Sequence, residues 1–107
     1  MDEPYVNIRV HTSEKERHEG KPVTQAVVHY LHHLKMGARC AVFRGEEGLY
    51  ETGEISRASI TDLSYNLPIL LDILVPASEL DRVVEQLKIL VPHGWIGVTP
   101  TKYERTT

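Results

Sequence analysis

The chain has 107 residues and a net charge of −3, with 41% hydrophobic and 25% charged residues. That is one globular domain of ordinary size, not a disordered segment. The acidic balance argues against a protein that grips nucleic-acid phosphates. A single cysteine excludes an intrachain disulfide, and no apolar run approaches the roughly 18 residues that span a bilayer.

The opening MDEPYVNIRV is acidic and lacks the basic-then-apolar layout of a secretory signal, so the expectation is a cytoplasmic protein. Tyr5 to Val10 alternates, with Val6, Ile8 and Val10 on one side, which predicts a strand with one buried face. HTSEKERHEGK then reads as a charged surface loop ending at Gly20.

Pro22 suits the first turn of a helix. Val23, Ala26, Val27, Tyr30, Leu31 and Leu34 follow at three- and four-residue steps, predicting an amphipathic helix that stops at Gly37. His29, His32 and His33 fall on its polar side. His29 and His33 have the spacing of helical metal ligands, but no third ligand is evident, so a solvated face is the plainer reading. Ala38 to Phe43 predicts a second strand that holds Cys40, read as a small buried hydrophobe.

LPILLDILV, Leu67 to Val75, predicts a third strand, ended by Pro76. Ser78 is placed to cap a second helix, with Asp81 three residues on. Leu80, Val83, Val84, Leu87 and Leu90 form that helix's stripe, and Pro92 and Gly94 end it. Trp95 to Thr99 predicts a fourth strand, interrupted by Pro100.

The order is β-α-β, β-α-β. It defines an α+β, ferredoxin-like sandwich in a single domain, residues 1–107, with a four-stranded antiparallel sheet and two helices on one face. The second face of such a sheet normally meets water. The third strand is apolar on both sides: Leu67, Ile69, Leu71, Ile73 and Val75 on one, Leu70 and Leu74 on the other. The simplest cover for the second side is another copy of the chain.

Arg44 to Asn66 exceeds the roughly 12–15 residues beyond which loops are uncommon in compact domains. Its glutamates are costly to bury, so the tip around Glu46 to Gly53 is expected in solvent. Ile55 to Leu63 is expected to extend the third strand backward. At the loop's base, Arg44 offers a planar fork of donors that matches phosphate, and Gly45 lets a backbone N–H approach an anion. The alternative for Arg44 is a surface salt bridge to the adjacent glutamates. No nucleophile stands beside a base, and Glu46 and Glu47 are poorly set for acid catalysis, so no enzyme is expected.

Three spaced segments carry a resemblance: G-K-P at Gly20 to Pro22, G-A-R-C-A-V-F-R-G-E-E-G at Gly37 to Gly48, and D-L-S-Y-N-L-P-I at Asp62 to Ile69. Together they resemble the small PII-like proteins, a family of unknown function, over about Tyr5 to Tyr103. The resemblance implies a homotrimer of ferredoxin-like subunits with an adenine nucleotide (ATP, ADP or AMP class) as effector in the inter-subunit clefts. It implies that residues 44–64 form a T-loop that docks on a membrane transporter or an enzyme. Arg44, Gly45 and Gly48 would form the loop's base, and His93, Gly94 and Trp95 the second wall of the cleft. Lys21 and the tail residues Lys102, Tyr103 and Arg105 would reach phosphate from the neighbouring chain. Tyr50 lies near the loop tip, similar to the modified tyrosine of classical PII proteins. A link to bicarbonate stays open, as do a CutA-like metal-handling trimer and a structural scaffold that binds no ligand.

Overall fold

The structure is a computed structural model that describes residues 3–58 and 66–106. Four long strands form the main sheet: β1 (Tyr5–Ser13), β4 (Arg39–Arg44), β7 (Pro68–Pro76) and β8 (Trp95–Tyr103). Their order is β4-β7-β1-β8, and every neighbouring pair is antiparallel. With α1 (Val23–Leu34) and α2 (Leu80–Leu90), this is the ferredoxin-like α+β arrangement that the element order predicts.

Each helix contributes one narrow apolar stripe. α1 buries Val23, Val27 and Leu31, at steps of four, and α2 buries Val83, Leu87 and Leu90. Both stripes join Ile8 and Val10 of β1 and Ile69, Leu71, Ile73 and Val75 of β7 in one core. Ile8, Leu71, Ile73 and Leu87 are fully buried, and such a side chain stabilises the fold by about 1.5–3 kcal/mol relative to exposure.

The register defines the bare face. Directly opposed residues share a face, so it carries three rows across the sheet: Phe43–Leu70–His11–Trp95, Ala41–Asp72–Arg9–Gly97, and Arg39–Leu74–Asn7–Thr99. Apart from the exposed His11, the first row is apolar and aromatic, with Phe43 54% and Trp95 63% exposed. Leu70 and Leu74 are half-buried, as expected of a strand greasy on both sides. At the centre, the Asn7 side-chain amide donates to Asp72 Oδ1 and to the Ile73 carbonyl, and Thr99 Oγ1 donates to Asn7 Oδ1. Asn7 is thereby buried without an orphaned polar atom.

Five local expectations are corrected. First, the charged stretch after β1 is not a plain loop. It forms a small hairpin, β2 (Arg17–His18) with β3 (Lys21–Pro22), turned by left-handed Glu19 and Gly20. Second, α1 ends at Leu34, because Lys35 and then Gly37 adopt positive φ. Third, Ser78 does not cap α2. Its N–H and hydroxyl both donate to the Glu3 carboxylate, and a 3-10 turn, Ala77–Glu79, leads into the helix. Fourth, β8 continues past Pro100 to Tyr103, helped by a register irregularity opposite Tyr5 and Asn7 that spares the ladder a missing donor.

The fifth concerns the long connection. Ile55 to Arg57 does not extend β7. It forms strand β6 (Ile55–Arg57), which pairs with β5 (Glu47–Leu49) as a separate two-stranded arm. The rest of the expected extension, apart from Ala58, lies outside the described residues.

Candidate functional site

The arm is held at its base and near its tip. Gly45 N–H donates to the Pro68 carbonyl at 2.9 Å. A Cβ at Gly45 would lie 2.9 Å from Pro68 Cγ, and one at Gly48 only 2.6 Å away. These glycines thus let the arm lie flat on the first residue of β7. Near the tip, the Tyr50 hydroxyl donates to the Asn66 carbonyl. Asn66 also accepts the Lys15 backbone N–H on its side-chain oxygen, and its own N–H donates to Ser56 Oγ. One residue therefore gathers the end of the loop, the arm and the segment after β1.

A cleft of about 640 Å³ opens between the arm and the end of the sheet. Leu49, Tyr50, Glu51 and Glu54 line it from the arm, and His11, Lys15, Glu16, His93 and Trp95 from the body. Glu16 braces this end: Thr12 Oγ1 donates to Oε1 at 2.6 Å, and the His93 N–H donates to Oε2 at 3.1 Å. Gly94 is required by close approach, since a Cβ there would lie 2.7 Å from both the His11 carbonyl oxygen and Val91 Cγ1. The His93-Gly94-Trp95 turn is thus pinned against β1 and presents the Trp95 ring beside the cleft.

Arg44 belongs to a different recess. It ends β4 on the helix side of the sheet, opposite Ile69, in a hollow of about 430 Å³ shared with Glu14, Arg17 and Thr24. Its guanidinium Nη1 lies 3.1 Å from Glu14 Oε2. Its ion-pair partner is therefore Glu14, not the adjacent glutamates; Glu47 instead holds Arg57, cross-strand, at 3.0 Å. Lys21 is exposed on β3 and borders a third hollow with His18, His29 and His33.

The tail lies at the opposite end of the sheet. Tyr103 pairs with Tyr5, at the far end of a nine-residue strand from Ser13, about 25 Å away. Arg105 Nη2 donates to the Tyr5 hydroxyl, which donates to the Gly37 carbonyl, and the guanidinium sits 5.6 Å from the Tyr5 ring centre. Tyr103 and Arg105 border a recess of about 480 Å³ with Gly37, Arg39 and Leu74. Lys102 pairs with Glu104 at 3.0 Å. Within one chain, therefore, His93 and Trp95 meet in one cleft, whereas Arg44, Lys21 and the tail lie in three others.

Three groups among the described residues have shifted acidities; the Tyr30 phenol on α1 is raised mainly by burial. Burial, and then the Asp72 carboxylate, raise the Cys40 thiol, which fits a half-buried structural cysteine and not a nucleophile. Burial, then Glu54, Glu14 and Glu51, raise the Tyr50 phenol. Sequence reading passed over Glu14, Glu16 and Asn66, whose partners are distant in the chain. Asp72 was visible as the one polar residue of LPILLDILV.

The element order and strand pairing define a ferredoxin-like α+β domain that carries a folded-back two-stranded arm. Residues 5–103 match the family DUF190, described as an uncharacterized ACR. The chain belongs to that PII-like family of unknown function. No helix among the described residues is long and apolar enough to cross a membrane.

Proposed function

We propose that this chain is a non-enzymatic PII-like signalling subunit. It assembles as a homotrimer through the bare face of its sheet and takes an adenine nucleotide in the clefts between subunits. It reports the bound state through the β5–β6 arm to a partner such as a transporter or an enzyme.

The observation that carries this reading is the Phe43–Leu70–His11–Trp95 row. It places two large, exposed aromatics on a face that the helices leave bare. Contiguous exposed apolar surface of this kind marks an interaction site, and a self-complementary face favours closed symmetry. The scatter of the expected ligand residues supports the same reading. Groups at opposite ends of one sheet can serve one ligand only when two chains each bring an end.

Isothermal titration with ATP, ADP, AMP and cyclic AMP, with and without bicarbonate, tests the effector. Absence of heat with all four removes the nucleotide from the reading. Light scattering tests the assembly, and a lone 12.2 kDa particle removes the trimer.

A further inference from the structure

The arm has two unlike faces. Gly48 and Ser56 oppose each other on the inner one, where Ser56 is buried and Gly48 rests on Pro68. Leu49 and Ile55 oppose each other on the outer one and are 73% and 62% exposed, and Leu49, like Glu51 and Glu54, also borders the mouth of the cleft. A cross-strand aliphatic pair so exposed gains nothing for its own hairpin beyond pair contact.

Carboxylates surround it. Glu46, Glu51 and Glu54 make no ion pair among the described residues, and the arm's one cation, Arg57, is spent on Glu47. Burial and then the same field, from Glu54, Glu14 and Glu51, make the Tyr50 phenol a weaker acid. Such a surface repels anionic lipid and nucleic acid and attracts cations, while its apolar centre rewards contact with apolar side chains.

We infer that the outer face of the β5–β6 arm docks on a basic protein segment that carries apolar side chains. This deepens the reading of the arm as the output element and rests on it. Leu49 and Ile55 supply the desolvated centre, and the unpaired glutamates supply steering and a polar rim.

The test is fluorescence anisotropy of the full chain against three labelled peptides of equal length, built from Lys and Leu, Lys and Ser, or Glu and Leu. The Lys/Leu peptide binds best, and added salt weakens it. The double variants Leu49→Ser/Ile55→Ser and Glu51→Gln/Glu54→Gln each weaken it by about tenfold or more. Ile89→Ser, which removes a 60%-exposed apolar side chain on α2, leaves it unchanged. Equal affinity for the Lys/Ser peptide, or unaltered binding by the arm variants, overturns the inference. So does a change in particle mass for Leu49→Ser/Ile55→Ser, which makes the pair a contact between copies. Because Leu49, Glu51 and Glu54 also border the cleft, nucleotide titration on the parent chain separates the two readings. Retained nucleotide heat with no peptide binding sinks the docking surface alone. Peptide binding at the arm without nucleotide heat supports the docking surface and sinks the effector.

Discussion

The Tyr50 hydroxyl donates a 2.7 Å hydrogen bond to the Asn66 carbonyl, so one phenol ties the arm's tip to the entry of β7. Asn66 is itself fixed by the Lys15 N–H and by Ser56 Oγ. The closed arm thus depends on two hydrogen bonds of Asn66, one from the Tyr50 hydroxyl and one to Ser56 Oγ, and on the Gly45–Gly48 seat over Pro68. Few buried apolar groups reinforce it, which places the arm at the low-stability end of the fold.

Tyr50→Phe removes the phenol's tether, leaving the ring and the Asn66–Ser56 bond in place. A neutral hydrogen bond of this kind contributes about 0.5–1.5 kcal/mol. Arm amides should exchange roughly 2–10 times faster, and trypsin should cut at Arg57 sooner, while the global melting temperature stays within about a degree. A melting temperature that falls with no change in arm exchange would place the tyrosine in the global core.

Alkaline pH should loosen the same contact. The Tyr50 phenol is raised above its ordinary 10.0, so the folded arm holds the proton more tightly than the open one. As pH rises, the open form loses its proton first. The closed arm's stability is therefore intact below pH 10.0 and declines above it. Proteolysis rates from about pH 9 to about pH 11 should climb in the parent chain more steeply than in Tyr50→Phe.

Gly94→Ala and Gly48→Ala should fail differently. At Gly94 the new Cβ meets backbone at His11 and a side chain held by the core at Val91, so overpacking costs about 1–3 kcal/mol of global stability. At Gly48 it meets only the Pro68 ring, and the arm can lift. Chemical denaturation should register the first, and limited proteolysis the second.

Arg44→Ala separates two roles of one guanidinium. Its pair with Glu14 is exposed on the arginine side, and such pairs contribute about 0–1 kcal/mol. Stability should barely move. Affinity for phosphate-bearing nucleotides should fall by about 1.5–3 kcal/mol, read by calorimetry, if the fork also serves the effector. Unchanged nucleotide affinity would confine Arg44 to its ion pair.

Leu70 and Leu71 are chain neighbours on opposite faces of β7. Leu71→Ala opens a cavity in the sealed core and should cost about 2–5 kcal/mol without altering oligomeric state. Leu70→Glu should instead dissociate the assembly, because it puts a charge into the aromatic row. Light scattering and thermal melts on both variants check the contrast. An unchanged particle mass for Leu70→Glu would leave the bare face without its proposed cover.

The framework was legible because periodicity states which side of each element is wet. The stripes Val23-Val27-Leu31 and Val83-Leu87-Leu90, and the two-sided apolar run in β7, led directly to the sandwich and its bare face. Elements decided by distant partners were not legible. Ser78 looks like a cap until Glu3, at the other end of the chain, takes both its donors. Gly45 reads as offering its N–H to an anion, whereas that N–H donates to the Pro68 carbonyl. Arg44 and the tail residues share a resemblance-based role, yet one strand's length separates them in a single chain, a separation that spacing along the sequence does not encode.

The seat at Pro68 makes the arm a lever whose fulcrum is the first residue of the most deeply embedded strand. A pivot of about 20° on a beam of roughly 12 Å sweeps the far end by about 4 Å. A slight tilt at the root therefore becomes a stroke as long as a side chain, with the core left at rest.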